Sequence, residues 1–172
     1  MSHALIHRER QPNTFRAFGE AVAAAAALNA IGAGAGLLAG SGGDSEWYRS
    51  LEKPSFQPPS GIFAPVWTLL YTFMGVSLSI LWRARGAKPA ANPAVQLFTI
   101  QYLLNLLWSF LFFRRQNPRA AFIEILVLNA VIVLTIFAAW RVSKLAALLL
   151  VPYLVWTMFA ALLNGSIWRL NR

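Results

Sequence analysis

The run AAFIEILVLNAVIVLTIFAAW, Ala120–Trp140, decides how this chain folds. It is 21 residues long and holds one ionisable group, Glu124. A helix rising about 1.5 Å per residue needs about 20 residues to cross the roughly 30 Å of hydrocarbon in a bilayer. The run meets that length, with Pro118 and Arg119 before it and Arg141 after it marking its ends. Lipid offers no partner to a free backbone N–H or C=O, so the run must be helical. The alternation of apolar and polar residues that marks a membrane β-barrel strand is absent.

Four more runs of this kind lie outward from it: Ala17–Leu38, Ile62–Trp82, Ala94–Phe113 and Leu145–Ile167. Charge or proline bounds them at Arg83, Arg85, Pro93, Arg114, Arg115 and Lys144. The expected architecture is all-α, an integral membrane bundle of five transmembrane helices over residues 17–172, behind a polar tail of residues 1–16. No cleavage site precedes the apolar runs, so the tail is read as a tail and not as a signal peptide. It holds both histidines, His3 and His7, and is read as solvated in preference to metal-binding.

Composition agrees with a membrane protein. Of the 172 residues 58% are hydrophobic and 12% charged, with a mean hydropathy of +0.53. A soluble domain carries about twice that charged fraction. The 15 Lys and Arg outnumber 6 Asp and Glu, a net charge of +9. These basic residues sit between apolar runs, where they anchor helix ends in headgroups, so nucleic acid is not the expected partner. There is no cysteine, which excludes disulfides, thiolate metal sites and thiol nucleophiles. Orientation is undecided. Arg8, Arg10, Arg16, Arg83, Arg85, Lys88, Arg141 and Lys144 make eight on one side, and Arg49, Lys53, Arg114, Arg115, Arg119, Arg169 and Arg172 make seven on the other.

Polar groups inside spans are costly unless paired, so they point to function or to helix fastening. Gln101, Asn105 and Trp108 recur at helical spacing on the third span. Glu124 and Asn129 lie on the fourth. Glu124 either sits near the interface at a helix N-terminus or lines a cavity, and Asn105 is either a fastener or a ligand contact. Trp67 and Tyr71 share a face of the second span, and Tyr153 and Trp156 a face of the fifth. Pro65 and Pro152 precede these pairs. Pro152 kinks the fifth span unless it lies in a first turn. Spacing alone leaves open whether Trp67 and Trp156 face a cavity or an interface.

Two further features stand out. Gly32, Gly36 and Gly40 form a stripe of bare backbone on the first span that admits a close helix, either within the subunit or in a dimer. No βαβ unit surrounds Gly32–Gly36, which rules out a dinucleotide loop. The connection from Ala39 to Gly61 is 23 residues long and contains Trp47, Tyr48, Phe56, Pro54, Pro58 and Pro59. Loops this long inside compact domains usually have a function, and the prolines lower the entropy cost of holding one shape. It is either an interfacial linker or a lid. No span carries His, Cys or a pair of carboxylates, so a hydrolytic apparatus is hard to build.

The string Trp47-Tyr48-Arg49-Ser50-Leu51-Glu52-Lys53-Pro54-Ser55-Phe56-Gln57-Pro58-Pro59 resembles the translocator protein family (TspO/MBR, tryptophan-rich sensory protein, peripheral-type benzodiazepine receptor). So do Phe63-Ala64-Pro65-Val66-Trp67 through Tyr71, Met74-Gly75, Gln101-x-x-x-Asn105-x-x-Trp108, Phe112-Phe113, Pro152-Tyr153-Leu154-x-Trp156, Leu163-Asn164 and Trp168-Arg169. The resemblance runs from about Ala17 to Arg172 and implies a five-helix bundle, often a homodimer, whose cavity is closed by the first loop. It implies a membrane receptor or carrier for tetrapyrroles such as protoporphyrin IX, with roles in porphyrin transport or stress regulation and no required cofactor. Two alternatives come with it, a light-dependent porphyrin-degrading enzyme and a scaffold acting through partner membrane proteins. By matched position Trp67, Asn105, Trp108 and Trp156 would line the ligand cavity, with Tyr71 and Tyr153, which share faces with the two tryptophans, as further ligand contacts, and Trp67 and Trp156 would be catalytic in the enzyme reading. Trp47, Lys53, Pro54, Phe56, Pro58 and Pro59 would shape the lid, and Gly32, Gly36 and Gly40 the dimer contact.

A flat apolar macrocycle suits aromatic walls, and its carboxylates suit Arg49 or Lys53. Without an axial histidine the site suits a metal-free porphyrin better than ligated haem. The chain departs from many relatives in carrying Phe56, Gly61 and Ala120 where they have tryptophan. Sterol-binding relatives carry a tyrosine just after the asparagine of the last helix. Gly165 and Ser166 stand in that stretch here, which speaks against sterol.

Overall fold

The computed structural model describes residues 14–41 and 45–172. Helix α1 (Thr14–Ala39) ends at Gly40, whose φ of +73° is a left-handed conformation that glycine adopts without strain. The Gly40 N–H donates to Leu37 O at 3.0 Å and the Ser41 N–H to Gly36 O at 2.9 Å, closing the helix end. A short helix α2 (Glu46–Ser50) follows, capped by Ser45, whose hydroxyl oxygen accepts from the Tyr48 N–H at 3.2 Å. A single tight turn at Ser60–Ile62 leads into α3 (Phe63–Arg83).

Helix α4 (Ala91–Ser109) continues into a wide π turn over Phe110–Arg114, closed by Arg115 N–H donating to Phe110 O at 2.9 Å. Asn117 then caps α5 (Pro118–Trp140), accepting from Ala120 N–H at 3.0 Å, with Pro118 at the first position, where its missing N–H costs nothing. The fifth span is two helices, α6 (Lys144–Leu148) and α7 (Val151–Leu170). Pro152 falls in the first turn of α7, so the chain is broken before it and not kinked at it.

Among the described residues, five helical segments are long and apolar enough to cross a membrane: Thr14–Ala39, Ser60–Gly86, Ala91–Arg114, Pro118–Trp140 and Lys144–Leu170. They match the five expected runs with no boundary moving by more than four residues, and the chain is a multi-pass membrane protein. The first helix starts at Thr14, inside the stretch expected to be polar tail, while His3 and His7 lie outside the described residues.

Helix α1 packs along α3, α4 along α5, and α5 along α7, whereas α3 and α7 touch only lightly. Met74, Leu81, Phe98, Leu128, Ile132 and Leu150 form the dry centre, and Leu37, Leu38, Phe137 and Leu162 face outward, toward lipid. The α1–α3 contact is close because Gly75 has no side chain: a Cβ there would fall on the backbone of Ala25.

Gly32 is used in the same way. A Cβ on Gly32 would fall on the Tyr71 ring, so this member of the glycine stripe packs inside the subunit. Of the two alternatives that spacing left open for Gly32, the internal one is found, because α3 reaches it first. Gly36 sits against Ser41 at the helix end and Gly40 lies in the cap, so the three glycines do not form one uniform face.

Candidate ligand site

Helix α4 presents Gln101, Asn105 and Trp108 at spacings of four and three, and all three point into the bundle. Asn105, 3% exposed, accepts a 2.7 Å hydrogen bond from the Tyr71 hydroxyl of α3. Tyr71 lies at 5.3 Å between ring centroids from Trp67, one turn earlier on the same helix. Trp67 meets Tyr153 of α7 at 6.3 Å, and Tyr71 meets Tyr102 of α4 at 5.9 Å. Trp67, Tyr71, Asn105 and Tyr153, four of the expected residues, therefore form one contiguous group. Asn105 is both a fastener between helices and a member of the cluster.

Among the described residues, three polar side chains in this interior make no hydrogen bond to protein. They are both amide atoms of Gln101, both carboxylate oxygens of Glu124 and the hydroxyl of Tyr153. Glu124 is 7% exposed, so its side chain faces into the bundle. The turn beginning at Pro118 that precedes it carries this part of α5 inward against α4 and α7.

Trp108 belongs to a second group, at the loop end of the bundle. Its ring stacks on Phe112 at 5.2 Å, and its indole N–H donates to Asn164 Oδ1 at 3.0 Å. Asn164 in turn donates to Pro118 O at 2.8 Å, joining α4, α5 and α7. The π turn makes this possible by directing Phe112 and Phe113 at the loop. Trp47 meets Phe112 at 5.6 Å and Tyr48 meets Phe113 at 5.6 Å. Burial there pushes the Tyr48 phenol up from its ordinary value. Phe112, Phe113 and Asn164 were not among the expected ligand contacts, although all three are in the recognised motifs.

The expected lid is a strap that runs down the side of α7. Glu52 is bound to Asn171 by two hydrogen bonds, Phe56 meets Phe159 at 6.4 Å, and Phe63 meets Trp156 at 5.8 Å. Asn171 and Phe159 are twelve residues apart, about 18 Å of helix. Lys53 is engaged within the strap. Its ammonium donates to Leu51 O at 3.0 Å and Arg49 O at 3.3 Å, and lies 4.9 Å from the Tyr48 ring centroid. Pro54 and Pro59 accept turn hydrogen bonds from Gln57 and Ile62, both at 3.0 Å, and Pro58 precedes the second turn.

Trp156 stands apart from Tyr153. It lines an open groove of about 640 Å³ between α3 and α7, with Val66, Leu70, Val151, Pro152, Val155 and Phe159. The groove lies beside the fresh start of α7 at Val151, where α7 and α3 share few contacts.

Gly165 marks the stretch where sterol-binding relatives have tyrosine. A Cβ there would lie 2.8 Å from the Phe122 ring, which is itself packed on Trp168 at 5.7 Å.

Comparison with known proteins places this geometry in a family. The model of the TspO/MBR family matches residues 23–169. The chain is 48% identical over 127 residues to the Tryptophan-rich protein TspO of Chlorobaculum tepidum, covering 74% of this chain and 80% of that protein. It is 46% identical over 125 residues to the Tryptophan-rich protein TspO of Archaeoglobus fulgidus, covering 73% and 80%. It is 38% identical over 127 residues to the Translocator protein of Homo sapiens, covering 73% and 75%.

Proposed function

The chain belongs to the TspO/MBR family, and from that premise we propose that it is a membrane receptor or carrier for tetrapyrroles such as protoporphyrin IX. The observation that carries the reading is the continuous aromatic wall of Trp67, Tyr71, Tyr102 and Tyr153, backed by Asn105 and the unpartnered amide of Gln101. Such a wall offers flat apolar faces to a macrocycle, with a few neutral hydrogen-bonding groups to orient it. The macrocycle enters beneath the strap, with its rings against Trp67 and its carboxylates toward the basic residues of the loop end. The strap closes the cavity so formed, and a homodimer is part of the same reading.

Titration of the purified protein with protoporphyrin IX, followed by tryptophan fluorescence, tests it. Saturable quenching that weakens in Trp67→Phe combined with Trp156→Phe is expected. Quenching that does not saturate, or that the double variant leaves unchanged, removes the support.

A second reading, light-dependent porphyrin degradation, is favoured by the contact of Trp67 with two oxidisable phenols, Tyr71 and Tyr153. Illumination of the complex then bleaches the porphyrin band faster than it bleaches in detergent alone and yields a discrete product. Equal bleaching in the two samples removes this reading and leaves the receptor reading intact.

A further inference from the structure

We propose that Asn171 is a positioning residue of this site, holding the strap in place through a reciprocal pair of hydrogen bonds with the backbone of Glu52. The Asn171 side-chain oxygen accepts from the Glu52 N–H at 2.9 Å, and its nitrogen donates to the Glu52 carbonyl at 2.9 Å. The same nitrogen donates to Ile167 O at 2.8 Å, which fixes the amide to the last turn of α7. One side chain thus satisfies both backbone groups of a residue 119 positions away. Only a carboxamide has the donor and acceptor side by side for this, and aspartate, serine and alanine do not.

The junction matters because of what the strap does next. Below Glu52 it lays Phe56 on Phe159 and delivers Phe63 to Trp156, both of which border the α3–α7 groove. Helices α3 and α7 share few contacts, and the strap runs from one to the other beside the groove. Release at Asn171 frees the strap to swing from α7 and widens the way from the lipid to Trp156 and on to Trp67. Asn171 therefore sets the rate of ligand access without touching the ligand. The ligand part of this inference rests on the tetrapyrrole reading, whereas the fastening of the strap does not.

The test has two readouts on the full chain in nanodiscs. A protease specific for glutamate cuts after Glu52 only when the strap leaves its site. Asn171→Ala removes both hydrogen bonds and is expected to speed that cut on the order of tenfold. For protoporphyrin IX, association and dissociation both accelerate in Asn171→Ala while Kd moves little, whereas damage to the site itself would raise Kd through dissociation. Glu52→Ala keeps the backbone partners and leaves both porphyrin rates unchanged.

The chain has no cysteine, so Glu52→Cys with Asn171→Cys gives one thiol pair for joining with a short, reducible bifunctional thiol reagent. Bridging is expected to slow both rates, and reduction of the same molecules to restore fast exchange. An unchanged cut rate in Asn171→Ala overturns the fastening. A faster cut with unchanged porphyrin rates overturns the role in access. If the wild-type protein binds no porphyrin, the tetrapyrrole reading fails and the access role fails with it, while the cut rate still decides the fastening.

Discussion

The Tyr71 hydroxyl donates a 2.7 Å hydrogen bond to Oδ1 of Asn105, joining α3 to α4 where both residues are buried. In a membrane bundle such bonds contribute modestly, because the separated helices find other partners. A double-mutant cycle of Tyr71→Phe and Asn105→Leu should give a coupling of about 1 kcal/mol by reversible unfolding in mixed micelles. Coupling indistinguishable from zero would show that the pair is an accidental contact.

Glycine substitutions should separate by what each new Cβ meets. Gly75→Ala strikes the Ala25 backbone, which cannot turn aside, and should cost about 1–3 kcal/mol. Gly32→Ala strikes the Tyr71 ring and disturbs its bond to Asn105, so the Tyr71–Asn105 coupling should fall in that background. Gly34→Ala meets nothing within 4 Å and should leave stability unchanged or slightly raised. Unfolding midpoints for the three variants check the order. A stable Gly75→Ala would show that α1 and α3 are not held at this distance.

Gly165→Tyr restores the tyrosine of sterol-binding relatives but places it against Phe122. The variant should melt earlier than wild type and gain no saturable binding of a photoreactive sterol. Gain of sterol labelling at an unchanged melting temperature would show that Phe122 yields and that the missing tyrosine was the only obstacle.

Trp156 borders the open α3–α7 groove, while Trp67 contacts the interior tyrosines. Lipids brominated along their chains should therefore quench Trp156 more than Trp67. The measurement is the loss of brominated-lipid quenching in Trp156→Phe compared with Trp67→Phe. Equal losses would mean that the groove is closed in the bilayer.

The spans were legible in the sequence because apolar length and terminal charge or proline are local signals, as at Pro118–Trp140. Spacing also grouped Gln101 with Asn105, and Trp67 with Tyr71, because a helix places such residues on one face whatever its surroundings. Relations between elements were less accessible. The stripe at Gly32 showed that something could approach α1, but only the fold identifies Tyr71 as the group that does. Tyr153 and Trp156 look alike in spacing, yet the fresh start of α7 sends one to the dry interior and the other to a groove. The π turn at Phe110–Arg114 leaves no periodic trace, since its extra residue is apolar like its neighbours. Asn171 gave no signal because an amide at a helix end is ordinary until its partner is known.

The course of the strap along α7 has a consequence for the bilayer. Between Glu52 and Phe63 the backbone is mostly non-helical, yet its Phe56 ring meets Phe159, about 18 Å along a membrane-crossing helix from Asn171. Within hydrocarbon every amide hydrogen without a partner costs several kcal/mol, since lipid tails accept no hydrogen bonds. Pro54, Pro58 and Pro59 remove three of those hydrogens outright. Gln57 and Ile62 satisfy theirs on the carbonyls of Pro54 and Pro59, and Glu52 satisfies its own on Asn171. The prolines thus lower the number of donors that this stretch must satisfy, as well as stiffening it, because an ordinary residue at each of those three positions would add an amide hydrogen.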